Sequence, residues 1–158
     1  MGQGVKVQQL TNEECYRVLR DAGFGRLASA RDNQPYVVPI YFVVGENCIY
    51  SFAIPGQKIE WMRENPRVCI EVDRVGGGND WTSVVVFGRY TELTDSSEFR
   101  SERSRAHQLL QDRPMWWEPG AVSLEGSDGR GLPIFYRVTI DRITGQRAVP
   151  GFGEHAQP

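Results

Sequence analysis

Pro35-Tyr36-Val37-Val38-Pro39-Ile40-Tyr41-Phe42-Val43-Val44 is the stretch whose reading decides the fold. As a strand of period two it puts Tyr36, Val38, Ile40, Phe42 and Val44 on one face and Val37, Pro39, Tyr41 and Val43 on the other. Both faces are apolar, so both call for cover. A chain of 158 residues is one domain, with one core to offer. The second face therefore predicts a partner subunit. Pro39 cannot donate to a ladder, so it marks an edge or bulge and leaves nearby backbone groups free for a ligand.

Working outward, Thr11-Asn12-Glu13-Glu14 is a capping box, and Cys15, Val18 and Leu19 follow at helical spacing up to Gly23. This predicts a helix over 12–21. A strand follows over 24–30, with Arg31-Asp32-Asn33-Gln34 as a hairpin turn. Beyond residue 44, Gly45-Glu46-Asn47 turns into a strand over 48–52. Pro55-Gly56-Gln57-Lys58 then opens a short helix that Asn65-Pro66 ends. Residues 67–74 alternate, with Val68, Ile70 and Val72 inward. Residues 82–93 form a long strand, apolar on both faces, and Gly88 inside it suggests a bulge. Asp95-Ser96-Ser97-Glu98 reads as a second helix cap, for a helix reaching Asp112, and the last strand lies in 134–148. About six strands in hairpins, punctuated by three short helices, predict a mainly β fold, a small antiparallel barrel. Residues 1–10 and 149–158 read as tails around one domain at 11–148.

Composition excludes several classes. The chain is 40% hydrophobic and 24% charged, ordinary for a globular protein. No apolar run approaches the roughly 18–20 residues of a membrane span, and no signal-peptide core is present, so a cytoplasmic protein is expected. A formal charge of −2 argues against nucleic acid as partner. The two histidines, His107 and His155, stand far apart, which argues against a metal site. Cys15, Cys48 and Cys69 are odd in number, lie in apolar patterns and read as buried free thiols.

Lysine is scarce: Lys6 and Lys58 stand against 16 arginines. Lys58 sits at the start of a helix, where a cation opposes the helix dipole unless an anion docks there too. It is not part of a GxxxxGK[ST] loop, and no GxGxxG occurs. The flanking strands carry Tyr41, Phe42, Tyr50 and Phe52 near this loop, and Trp81, Trp116 and Trp117 fall in segments read as loops. A planar aromatic cofactor with a phosphate tail would use all of these features, and FMN is such a molecule.

These residues, in this order, resemble the pyridoxamine 5′-phosphate oxidase-like, FMN-binding split-barrel superfamily, in the branch of small flavoproteins that includes nitroimidazole-resistance proteins. The resemblance runs through Gly25-Arg26-Leu27-Ala28-Ser29, the 35–40 strand, Ile49-Tyr50-Ser51-Phe52, Gly56-Gln57-Lys58, Asn65-Pro66-Arg67-Val68-Cys69 and Ser83 to Arg89. It implies a six-stranded antiparallel split β-barrel with Greek-key connections, and a homodimer with FMN at the subunit interface. Phosphate binding falls on Lys58 with Gln57 beside it, and the flavin-edge backbone contacts on Pro39, Ile40, Ser51 and Phe52. The second subunit would contribute Ser83 and the Trp116-Trp117 loop. Related nitroimidazole-resistance proteins often carry a histidine where this chain has Phe52, and phenylalanine cannot shuttle a proton.

The reading is an FMN-dependent oxidoreductase passing electrons from a nicotinamide cofactor to a small-molecule acceptor. No side chain stands out as a general acid or base. The alternatives are a split-barrel protein using the deazaflavin F420 or haem, the former in keeping with the arginine-rich, lysine-poor composition of a GC-rich genome, and a non-catalytic flavin-binding dimer. Pyridoxamine phosphate oxidase activity itself is disfavoured, because its arginine-rich C-terminal substrate motif is not found.

Overall fold

A computed structural model of the chain describes residues 4–113 and 132–151. In order it holds β1 (Val5–Gln9), α1 (Asn12–Ala22), β2 (Phe24–Arg31), β3 (Gln34–Tyr41), β4 (Val43–Val44), β5 (Cys48–Ala53), α2 (Gln57–Glu64), β6 (Arg67–Val75), β7 (Trp81–Leu93), α3 (Arg100–Gln111) and β8 (Ile134–Pro150). The six long strands β2, β3 and β5 to β8 are those the sequence predicts. β1 and β4 are added, β1 pairing with the last residues of β8 from Gln146 to Pro150. Among the described residues no helix is long and apolar enough to cross a membrane.

The sheet is antiparallel throughout, in the order β3-β2-β6-β7-β8-β5-β4. β3 and β4 stand at its opposite ends, yet only Phe42 separates them in sequence. The sheet must therefore curl until its two ends meet at that residue. No ladder joins β3 to β4 or β5 among the described residues, so the barrel stays split. The strand predicted as one piece over 35–44 is thus two. At the break Phe42 carries the β2–β3 register one step further, its N–H donating to the Gly23 carbonyl at 3.0 Å, while its ring enters the core. Val43, next along, packs in a separate cluster under α3.

The hairpin turn behaves as predicted: Asp32 and Asn33 both take positive φ, as a two-residue turn matched to strand twist requires. Gly88 is the bulge, where the β7–β8 register shifts, and a Cβ there would collide with the Thr139 carbonyl. The Thr11/Glu14 capping box is formed, Glu14 N–H donating to Thr11 Oγ1 at 3.2 Å. The second predicted cap is not. A turn in which Phe99 and Arg100 both donate to the Ser96 carbonyl delays α3 to Arg100, and Asp95 takes the Arg100 side chain instead, at 3.0 Å. Trp81 begins β7 rather than lying in a loop.

Cys15 and Leu19 of α1 and Ile59 and Met62 of α2 join the inward faces of the strands in the main core. α3 lays Ala106 and Leu110 on the outer faces of β5 and β8 and on Leu93. All three cysteines are free, Cys15 and Cys48 buried. The outer face of β3 is uncovered: Val37 is 59% and Tyr41 38% exposed, with Phe24 of β2 beside them at 41%. Phe42→Ala removes the ring that holds the two sheet ends together. It is expected to cost about 3–5 kcal/mol in urea-unfolding experiments, the range for truncating a buried phenylalanine. A loss well under 1 kcal/mol would show that the corner is not structural.

Candidate functional site

Among the described residues, two strand edges are left unpaired beside Phe42. β4 pairs with β5 only through Ile49 and Tyr50, so Ser51, Phe52 and Ala53 have a partner strand only on the β8 side. β3 has one only on the β2 side. The Ser51 hydroxyl donates to the Tyr41 carbonyl at 2.6 Å, fastening one free edge to the other at the corner. Unpaired strand backbone is a row of donors and acceptors suited to the polar rim of a flat heterocycle.

β5 runs directly through Ile54-Pro55-Gly56 into α2, whose first turn has no side-chain cap. Its leading N–H groups and dipole offer a site for an anion. Lys58 lies in that turn, half-buried, with no anionic partner among the described residues, and burial pushes its ammonium below the usual lysine range. Further along α2, Trp61 meets Tyr36 of β3 at 5.2 Å between ring centroids, and the Arg31 guanidinium lies 5.0 Å from the Trp61 ring. Asn65 donates its side-chain amide to the Ala30 carbonyl at 3.0 Å. These contacts fix α2 against β2 and β3. A phosphate at its head would pair the buried cation and cap the helix together.

The predicted site residues take different places. Pro39 and Tyr41 stand exposed on the free edge of β3, whereas Ile40 points into the core and has only backbone to offer. The Ser51 side chain is buried and spent on Tyr41. Tyr50 turns under α3 beside Cys48, and burial holds its phenol well above the usual tyrosine range, so it too brings only backbone. The Phe52 ring is half-buried, 6.1 Å from Phe135. Gln57 is exposed next to Lys58. Ser83 is six positions along β7 from Arg89, the partner of the first residue of β6, which is about 20 Å of strand. It lines a separate cleft of about 530 Å³ with Asn12 and Gly145. Trp116 and Trp117 lie outside the described residues. The Tyr36–Trp61 contact was not foreseen. Its signal was Trp61 three residues after Lys58, one helical turn on.

The sequence pattern of pyridoxamine 5′-phosphate oxidases matches residues 11–147. The chain belongs to that family. It is 41% identical over 147 residues to an uncharacterised protein of Rhizobium meliloti (strain 1021), which covers 92% of this chain and 97% of that one. Among solved structures it is similar to an FAD-binding protein of Mesorhizobium loti, at 41% identity and TM-score 0.74, over 92% of this chain and 99% of that one. It also shares its fold with a Bacteroides thetaiotaomicron protein assigned to 5-nitroimidazole antibiotic resistance, at 19% identity and TM-score 0.69, over 92% and 90% of the two chains.

Burial of Lys58, without an anionic partner among the described residues, is expected to carry a cost. Its folded-state pKa lies below the unfolded value, so Lys58 disfavours folding at neutral pH, and the penalty fades as pH rises through the depressed value toward the ordinary lysine range. Lys58→Met is expected to stabilise the ligand-free protein by about 0.5 kcal/mol at pH 7, the scale of a charge at a helix end. The difference should shrink above pH 10. Thermal denaturation of both proteins across this range checks it, and a destabilised variant at pH 7 would mean that Lys58 has an anionic partner in the chain.

Proposed function

We propose that this chain is a flavin-dependent oxidoreductase that binds FMN in the cleft between the free edges of β3 and β5, with the phosphate at the head of α2. The observation that carries the reading is the half-buried Lys58 in an uncapped first turn, without an anionic partner among the described residues, next to two strand edges that no described strand pairs. Lys58, Gln57 and the leading amides of α2 would hold the phosphate. Backbone groups at Pro39, Ile40 and Tyr41 and at Ser51 and Phe52 would meet the ring edge. When bound, the flavin supplies the redox chemistry, accepting electrons from a nicotinamide donor and yielding them to a small acceptor. The protein's part is to bind, to orient and to shelter. Phe52 offers an apolar wall against Phe135 and has no proton to move.

The Mesorhizobium loti relative, named for FAD, favours a second reading in which the same cleft takes the flavin and first phosphate of FAD. We also read the working unit as a homodimer. Its motive is the exposed apolar face of Val37, Tyr41 and Phe24, and Ser83 and the Trp116-Trp117 segment would reach the cleft from the partner.

Heat release and chromatography of the flavin from purified protein separate the readings. FMN supports the first, FAD the second, and a deazaflavin or no flavin after reconstitution contradicts both. Lys58→Ala is expected to weaken FMN binding about 10- to 100-fold, the value of a charge-assisted hydrogen bond, and to leave riboflavin binding unchanged. Fluorescence-quenching titrations with both ligands measure this. Equal losses would mean that Lys58 does not read the phosphate.

A further inference from the structure

Behind the free edges, Ser51 and Tyr136 are direct partners across the β5–β8 ladder. Residues so paired present their side chains on the same face, here the inner one. Ser51 is 1% exposed and Tyr136 fully buried. The Tyr136 ring packs against Tyr90, with centroids 5.3 Å apart. The two hydroxyls are served unequally. Ser51 spends its proton on the Tyr41 carbonyl at 2.6 Å, across the mouth of the cleft. Tyr136 Oη has no hydrogen-bond partner among the described residues. A buried hydroxyl left so opposes folding, and native cores rarely keep one. Burial pushes the phenol up to about 12, with the neighbouring Ser51 hydroxyl opposing. The serine is thus close to the phenol, although its proton goes elsewhere.

The Tyr41 carbonyl ends the free edge of β3, where the flavin reading places the ring edge. That carbonyl already has a donor. A ring N–H arriving there must displace the Ser51 hydroxyl, and a displaced buried hydroxyl needs a new acceptor.

We propose that Ser51 is a latch across the cleft, and that Tyr136 is the acceptor to which its hydroxyl withdraws when a ligand N–H takes the Tyr41 carbonyl. The inference rests on the flavin reading above and adds a gate to it. With the latch set, Ser51 donates to Tyr41 and Tyr136 goes without. With the cleft filled, the ligand N–H donates to Tyr41 and Ser51 donates to Tyr136 Oη. Ser51 has a single side-chain torsion to turn, from one staggered well to another. No protein group loses a bond in the exchange, and the orphaned oxygen gains one. Tyr136 is therefore a positioning residue, acting on the ligand through Ser51.

Tyr136→Phe and Ser51→Ala, singly and together in the full chain, test this with two readouts: the FMN dissociation constant from fluorescence quenching, and the urea midpoint without FMN. Tyr136→Phe is expected to weaken FMN binding about 10-fold, because the displaced Ser51 hydroxyl is left buried without an acceptor. Its urea midpoint should hold or rise, since an unsatisfied oxygen has gone. Ser51→Ala is expected to lower the midpoint, the link between the two edges being lost, and to leave FMN bound as tightly or more so. On that background Tyr136→Phe should change FMN binding less than about 2-fold. A Tyr136→Phe protein that binds FMN as well as the unaltered chain overturns the latch and leaves the cleft standing. So does a loss that persists alongside Ser51→Ala, or one matched by a lower midpoint. FMN binding by none of the four proteins overturns cleft and latch together.

Discussion

The single residue Phe42 carries the constraint on which the rest of the structure depends. It joins β3 and β4, which sit at opposite ends of the sheet, so the sheet has no freedom to lie flat. Its N–H is anchored on Gly23, where α1 ends in the left-handed conformation, and its ring is buried with the inward faces of β2 and β6. The same corner prevents closure. Phe42 still bonds to the β2 side through Gly23, whereas Val43 pairs with Tyr50 of β5, so the chain changes its partner strand at this corner. The split is therefore built in, and the two open edges beside it are what a ligand can use.

The proposed site grows from that opening through continuity of chain. β5 ends beside the free edge of β3 and passes at once into α2, so an uncapped helix head arrives where the edges stop. Lys58 is held there half out of water with nothing to pair with among the described residues, an arrangement that folding alone does not favour. Among the described residues several arginines are paired: Arg137 with Glu102, Arg89 forked onto Asp141, and Arg63 bound by Glu92. The burial of Lys58 without such a partner is what supports the proposed phosphate site.

Much of this was legible in the sequence because it is local or periodic. The Thr11–Glu14 box, the Asp32-Asn33 turn, the bulge at Gly88 and the Pro55-Gly56-Gln57-Lys58 helix entry each need only a few neighbouring residues. The two-sided apolarity of 35–41 foretold a face that one chain leaves open, and Val37 and Tyr41 stand on it. What escaped was set by contacts between distant residues. Period-two alternation runs unbroken through Phe42, so nothing in it shows that the chain changes its partner strand there, from β2 to β5. The Asp95–Glu98 spacing imitates a cap, but Arg100 lies close enough to claim Asp95 and a turn on Ser96 intervenes. Tyr50 shares its strand with Ser51, yet the side chain falls under α3, a helix fifty residues on. The facing of Ser51 and Tyr136 depends on the β5–β8 register, which no local pattern displays.

Backbone hydrogen exchange, read by mass spectrometry with and without FMN, tests the central claim most directly, because the cleft is defined by amides that lack partners. The account predicts that FMN slows exchange at Ile40 and Tyr41, at 51–53 and over the first turn of α2 at 57–60. Protection confined to α3 or to the outer faces of β6 and β7, with the three cleft segments unchanged, would contradict it.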